Sequence, residues 1–389
     1  MTSPIHNISL RRRLLFRSAA ILAGLLVSLV LLEIIFYFYQ PFALRVRGGR
    51  ISLPMNYRTV FSNRSFSKLD PEIIQTRNSI GFRGKNPPTD FDNHSTIITV
   101  GGSTTECFYL SDDRTWPARL EVMLSKAVPH VWVNNAGLDG HSTHGHLHLL
   151  DQYITSLKPK VVLFLIGLND IGNDGPLAFD KRLERTSKQG QNIVEKSYFF
   201  VLQKSAVLAL LDNFRRYRKA SRAGLVHRDV SHQQLVLDAS SKLETSDNQW
   251  SQLRNEHRTQ YLPDYEQRVR QLVETCRSKN IAAVLVTQPA LYGPAIDDLT
   301  QVDLRHVNVN GMSGNTRWKL LELYNDVTRK VAREQNLLLI DLANQMPKSS
   351  RYYYDYHHFT NDGADIVAEL IHGELSDFLI QQSTPDPTE

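Results

Sequence analysis

Residues 97–110 read "IITVGGSTTECFYL", and the fold turns on how that stretch is understood. Ile97, Ile98, Thr99 and Val100 make the branched run that a buried strand needs, and Gly101 and Gly102 punctuate its end. Three small hydroxyl residues follow. Glycine admits positive φ and lets backbone or ligand approach closely, so the pair predicts a tight turn that presents Ser103 at the carboxyl end of a strand. The plainer reading is a Gly-Gly turn whose Ser or Thr caps the next helix. The rest of the chain decides between the two.

Outward from that strand, "VWVNNAG" at 131–137, "KVVLFLIGLND" at 160–170, "IAAVLVTQP" at 281–289 and "LLLIDLA" at 337–343 each read as a buried strand ending in polar residues or glycine. Helical patterns lie between them at 115–128, 144–157, 263–279 and 316–335. Strands alternating with helices imply an α/β fold with a parallel sheet and helices on both faces. Such folds place their sites at the carboxyl ends of the strands. About 110 residues separate Asn169 from the strand at 281, far more than one crossover needs, so an insertion is expected at about 172–262. It holds an amphipathic basic piece, "LLDNFRRYRKASRAGLVHR", and a polar one, "DASSKLETSDNQWSQLRNEHR". A solvated helical subdomain is the plain reading; a lid, a membrane-surface segment or a site for an envelope protein partner are the others.

The chain has 389 residues, of which 41% are hydrophobic and 22% charged, ordinary for a globular protein. Its 45 basic residues are offset by 40 acidic ones and form no basic stripe with interleaved aromatics, which argues against a nucleic-acid partner. Cys107 and Cys276 form no CxxC pair and no metal-ligand spacing. Near the start, "AAILAGLLVSLVLLEIIFYFY" at 19–39 has the ~20 apolar residues that a membrane-spanning helix requires. It ends on Phe36, Tyr37, Phe38 and Tyr39 like an interfacial aromatic belt, with no small-residue cleavage site. Arg11, Arg12, Arg13 and Arg17 precede it in a tail without acidic residues, although Arg45, Arg47 and Arg50 follow on the other side.

These features lead us to expect a cytoplasmic basic tail (1–18), a single-pass signal anchor (19–39), a stalk or N-terminal elaboration (40–95), a folded unit (96–375) outside the cytoplasm, periplasmic or at the cell surface, and a polar tail (376–389). Glu33, near the outer end of the span, is expected to reach the interface, to be protonated or to face a partner helix.

Taking only strand ends, the chemistry-bearing residues are Ser103, the "NAGLDG" loop at 135–140, "GLND" at 167–170 and, near the C-terminus, "DYHH", where Asp355 and His358 stand three apart so that one turn brings them to the same side. Ser103 is the candidate nucleophile, His358 the base and Asp355 the group that fixes its tautomer. Backbone N–H groups of Ser103 and Gly140, with the Asn169 side-chain amide, can supply an oxyanion hole. Each residue alone has a dull explanation as a turn, a cap or a surface histidine; together at strand ends they make a hydrolase.

These four blocks closely resemble those of the SGNH/GDSL hydrolase superfamily, over roughly residues 96–375 with the insertion unmatched. The resemblance implies a three-layer α/β/α sandwich of flavodoxin-like type and a Ser103–His358–Asp355 triad. It also implies an oxyanion hole of Ser103, Gly140 and Asn169, and a metal-independent mechanism. Gly102 stands where many members carry Asp. His357 beside His358 leaves a one-residue ambiguity, which the D-x-x-H pattern resolves toward His358.

No cofactor and no metal are called for; His144 and His148 share a helical face but lack the intervening glutamate of a zincin. His141 is expected to line the pocket, Trp116-Pro117 to open a helix and pack in the core, and Cys107 to be a small buried residue on the helix after Ser103. The expected function is a membrane-anchored serine esterase acting on an acyl-ester substrate, tilted toward O-acetyl groups of envelope glycans. The alternatives are a lipid or lysophospholipid esterase, an acyltransferase of the same superfamily, or a non-catalytic envelope scaffold that binds glycan.

Overall fold

Strands buried on both faces carry continuous apolar runs rather than alternation, and five such runs build the centre of this protein. The computed structural model describes residues 10–38, 46–47, 50–64, 66–176, 183, 193–222 and 235–383. Its central sheet comprises β1 (Ser95–Gly101), β2 (Val131–Asn135), β3 (Val161–Leu165), β4 (Ala282–Val286) and β5 (Leu339–Ile340). All are parallel, in the spatial order β5-β4-β3-β1-β2. That is the flavodoxin-like order, in which the winding reverses between β1 and β3 and leaves a crevice at their carboxyl ends.

Successive side chains point to opposite faces. Ile97, Leu163, Leu165, Val284 and Val286 enter one core, and Ile98, Val100, Val162, Phe164 and Leu285 the other. A long helix α1 (Leu10–Phe38) precedes the sheet. The helices that follow are α2 (Ser103–Glu106), α3 (Trp116–Leu124), α4 (Thr143–Leu149), α5 (Ile193–Lys204), α6 (Ala206–Arg222), α7 (Asp247–Glu256), α8 (Leu262–Arg277), α9 (Gly314–Glu334) and α10 (Asn361–Ser383). Residues of α3 and α10 fill the first core, and those of α4 and α8 the second, with α9 reaching both. The result is the α/β/α sandwich. In α8 the buried residues Leu262, Tyr265, Val269, Leu272, Val273 and Cys276 recur at helical spacing; each large apolar side chain so covered stabilises the fold by about 1.5–3 kcal/mol.

As expected, Trp116 and Pro117 open α3. Thr115 caps it by accepting from the Ala118 N–H, and the buried Trp116 indole donates to the Thr104 carbonyl at 3.1 Å, tying α3 to the turn after β1. Cys107 lies one residue beyond α2, in left-handed conformation (φ 53°), rather than within a helix. Both cysteines are buried and unpaired, in different cores, and burial pushes each thiol up to about 12.

Residues 50–94 do not stand off as a stalk. Tyr57–Ser62 and Glu72–Arg77 pair as an antiparallel ribbon, and Arg83 exchanges backbone hydrogen bonds with Asn135 beside β2. The Arg83 guanidinium is buried. It donates to the carbonyls of Glu106 and Cys107, each at 2.6 Å, to that of Leu110, and to the Asp112 carboxylate at 2.6 Å. Arginine suits this place because its fixed fork of donors reaches several carbonyls in and beyond the end of α2 at once.

Of the N-terminal features, α1 presents exposed apolar side chains along its length, such as Leu22, Leu25, Leu26 and Val30. By length and composition it can cross a membrane. The first residues of the basic tail (1–9), the end of the aromatic belt at Tyr39, parts of the insertion (177–182, 184–192 and 223–234) and the end of the polar tail (384–389) lie outside the described residues.

Replacing Arg83 by Met breaks the buried ion pair with Asp112 and removes the guanidinium donors from three carbonyls, and we expect a loss of about 3–5 kcal/mol. Arg277→Met, which breaks an exposed pair with Glu274, is expected to cost no more than about 1 kcal/mol. Urea unfolding of the two full-length variants in detergent checks the contrast.

Candidate active site

The turn after β1 answers the question posed by its two glycines, and corrects the expectation. Neither glycine has positive φ; Gly102 sits at φ −84° and ψ −148°. What they provide is space. A Cβ on Gly101 would press on the Thr105 hydroxyl and lie 2.6 Å from the Leu165 carbonyl oxygen, and one on Gly102 would lie 2.5 Å from Asn169 Nδ2. Because β1 and β3 are adjacent, with Gly101 opposite Leu165, the absent side chains let the loop after β3 close onto the start of α2. Positive φ is required instead at Gly140 (φ 65°) and Gly167 (φ 116°), in the loops that follow β2 and β3.

Ser103 is the first residue of α2, and its Oγ lies 2.7 Å from His358 Nε2. His358 Nδ1 lies 2.7 Å from Asp355 Oδ2. Asp355 also accepts, on Oδ1, the backbone N–H groups of His357 and His358 at 2.8 Å each. The two residues therefore share a side through a turn folded around the Asp355 carboxylate, not through a helical turn; α10 begins only at Asn361. The neighbouring imidazoles part company. His357 Nε2 lies 3.2 Å from the buried Tyr292 hydroxyl, whereas the His358 ring stacks on Tyr354, with centroids 5.6 Å apart and planes 14° from parallel.

The loop after β2 runs alongside. Ala136 N donates to Thr99 O at 2.9 Å and Leu138 N to Gly101 O at 3.1 Å, which extends the β1 pairing and leads Gly140 to the crevice. Asp139 N donates to the buried Glu106 carboxylate at 2.6 Å, and Glu106 is itself paired with Arg77. After β3, Asn169 Nδ2 donates to His141 O at 2.9 Å. Next to it Asp170 accepts from Thr143 N at 3.1 Å and from the Thr143 hydroxyl, and pairs with Arg268 of α8 at 3.4 Å. Burial pushes the Asp170 carboxyl up, against the pull of Arg268 and Thr143. A cavity of about 10 Å³ borders Ser103, Asn169, His141, His146 and Gln288, room for about one water-sized group.

Two histidines carry opposite protonation tendencies. Burial pulls His358 down, but the Asp355 charge and hydrogen bond, with the Asp139 charge, outweigh it and raise its pKa above 6.5. His357 is pushed down to about 3 by burial, which Asp355 does not offset. His146, on the cavity wall, is pushed down to about 4 by burial, which the Gly101 backbone only partly offsets, so its ring is neutral near pH 7.

The structure thus brings together Ser103, His358 and Asp355 through hydrogen bonds and Ser103, Asn169 and His141 around one cavity, all singled out from sequence; Gly140 follows two residues after Leu138, whose N–H meets Gly101. The structure adds Glu106, Arg77, Tyr354 and Gln288. Gln288, which accepts from the Thr104 hydroxyl at 3.1 Å, follows β4, and the rule that parallel strands end at the site would have found it. Tyr354 abuts Asp355 in "YYYDYHH". Arg77 and Glu106 carry no local signal, being 29 residues apart.

The model of the GDSL-like Lipase/Acylhydrolase family matches residues 99–366. Solved structures similar to the chain include an acetylxylan esterase from Geobacillus stearothermophilus (15% identity, 72% of this chain and 94% of that one, TM-score 0.40). Another is an acetyl xylan esterase (14% identity, 72% and 98%, TM-score 0.38). A third is an alpha/beta hydrolase enzyme from the metagenome of Lake Arreo, Spain (15% identity, 73% and 96%, TM-score 0.40). No curated protein sequence matches the chain.

A titration of the His358 ring by NMR is expected to find its midpoint above 6.5, and Asp355→Asn to move it down, since burial then meets less opposition. By linkage, the stability carried by protonated His358 is fully present below its unfolded value of about 6.5 and is lost as pH rises through the folded one.

Proposed function

Because the chain belongs to the GDSL-like lipase/acylhydrolase family, and so is an ester-hydrolysing enzyme, we propose that it is a membrane-anchored serine esterase that removes short acyl groups through an acyl-enzyme. The observation that carries this reading is the hydrogen-bonded line from Ser103 Oγ to His358 Nε2 and from His358 Nδ1 to Asp355, with 2.7 Å at both steps.

His358 takes the Ser103 proton as Oγ attacks the ester carbonyl. The negative charge that develops on the carbonyl oxygen is met by the N–H groups of Ser103 and Gly140 and by Asn169 Nδ2, fixed beforehand by the loops that hold them. His358 then gives its proton to the departing alcohol, Asp355 stabilising the imidazolium meanwhile. A water, deprotonated by His358, attacks the acyl-enzyme and returns Ser103. No step in this sequence draws on a metal or cofactor.

The cavity beside Ser103 and Asn169, at about 10 Å³, has room for one oxygen- or methyl-sized group. It supports acetyl as the group removed. Anchorage through α1, with the basic tail retained in the cytoplasm and the catalytic unit (96–375, insertion about 172–262) outside, supports envelope glycans as the substrate. His141 walls the pocket.

Full-length protein in detergent is expected to hydrolyse p-nitrophenyl acetate faster than the octanoate. Ser103→Ala and His358→Ala are each expected to lose roughly 10³-fold or more in kcat while keeping their circular dichroism. Undiminished turnover in Ser103→Ala would overturn the assignment of the nucleophile.

Glu106→Ala frees the residue preceding Gly140 and is expected to lower kcat about 10- to 100-fold with little change in KM, since it disturbs where the oxyanion donor stands and not what the site binds. Steady-state kinetics on the acetate ester checks it.

A further inference from the structure

Glu33 is an acid inside the apolar run of α1, and the structure gives it an unexpected partner. Its carboxylate accepts the backbone N–H of Ala206 at 2.7 Å and the hydroxyl of Ser205. It therefore caps α6, where its oxygens accept from the N–H groups that a helix start leaves without intrahelical partners. Two turns further on, Asn213 accepts from Val46 N at 3.2 Å and donates to Val46 O at 2.5 Å. The insertion is thus fastened twice, once to α1 itself and once to the chain just beyond it.

The depth of the first contact matters. At 1.5 Å per residue Glu33 lies about 7.5 Å along the axis from Phe38, so the turn joining α5 to α6 meets α1 at the level of Ile34, Ile35 and Tyr37, whose side chains are exposed. The two helices are dressed for the same surroundings. On α5, Ile193, Val194, Phe200 and Val201 are exposed, the first two at 83% and 75%; on α6, Leu208, Leu211 and Phe214 are. Farther along α6 the exposed residues become Arg215, Arg218, Lys219 and Arg222. Lys204 sits 5.9 Å from the Phe200 ring and Arg218 5.9 Å from that of Phe214. Apolar side chains on two adjoining helices, passing into cations, are costly against water and fit the boundary between acyl chains and headgroups.

We propose that α5 and α6 form a foot that lies in the membrane interface beside the emerging end of α1. Its apolar side chains sit among the lipid acyl chains and its cations at headgroup level. The proposal rests on reading α1 as a membrane span. The foot gives the insertion a role in seating the catalytic unit on the bilayer, and it explains an acid near the end of the span by an intramolecular cap.

The test places an environment-sensitive fluorophore on single introduced cysteines, the native thiols being buried. Full-length Phe200→Cys, Leu211→Cys, Leu25→Cys and Val236→Cys are reconstituted in nanodiscs of phosphatidylcholine and phosphatidylglycerol, some bearing a nitroxide on the acyl chain. Each is required to keep its turnover of p-nitrophenyl acetate. The labels at 200 and 211 are expected to be blue-shifted and quenched within about two-fold of the label at 25 in the span, while the label at 236 stays in water. Quenching at 25 with none at 200 and 211 overturns the foot and leaves the span standing. Absence of quenching at 25 overturns the span, and the foot with it.

Discussion

The site depends on how closely two adjacent parallel strands let their loops meet. β1 and β3 run side by side with Gly101 opposite Leu165, and α2 starts only two residues later. Ordinary side chains at 101 and 102 would hold the loop after β3 away from α2 by the size of a methyl group. Without them, Asn169 comes up against the backbone at Gly102, and the reversal of winding between β1 and β3 becomes a narrow crevice. The helices on both faces fix the two strands, and the strands fix the crevice.

Loops at the crevice are held by carboxylates that accept backbone N–H groups. Asp355 takes those of His357 and His358, Glu106 that of Asp139, and Asp170 that of Thr143. A charged acceptor makes a stronger hydrogen bond than a neutral one, and each carboxylate has a cationic or histidine partner: Arg77 for Glu106, Arg268 for Asp170, His358 for Asp355. Positions at the sheet edge are therefore set by charge as well as by packing, which keeps polar groups in place beside a cavity too small to be filled by side chains.

The strands could be read from the sequence because burial on both faces leaves uninterrupted runs such as "VVLFL", and the crevice because each run ends in residues that a core does not need. The spacing of Asp355 and His358 was legible, but their conformation was not: three residues suggest a helical turn, and the carboxylate instead folds the backbone around itself. Of the two reasons offered for the glycines, close approach holds and positive φ does not, and sequence offers no view that Asn169 is what approaches across the sheet. Arg83 and Glu106 escaped notice because their partners are distant in the chain and have no period. Glu33 left three readings open for the same reason; its partner lies more than 170 residues away.

The two thiols carry a last consequence. Cys107 donates to the Thr104 carbonyl at 3.3 Å and Cys276 is enclosed in the opposite core; with the sheet between them and each pushed up to about 12, neither exists as the thiolate that oxidants and alkylating reagents attack. The folded chain therefore offers neither sulfur to oxidants or alkylating reagents. Only an opened chain would expose sulfur, so that loss of structure and vulnerability to wrong disulfides arrive together.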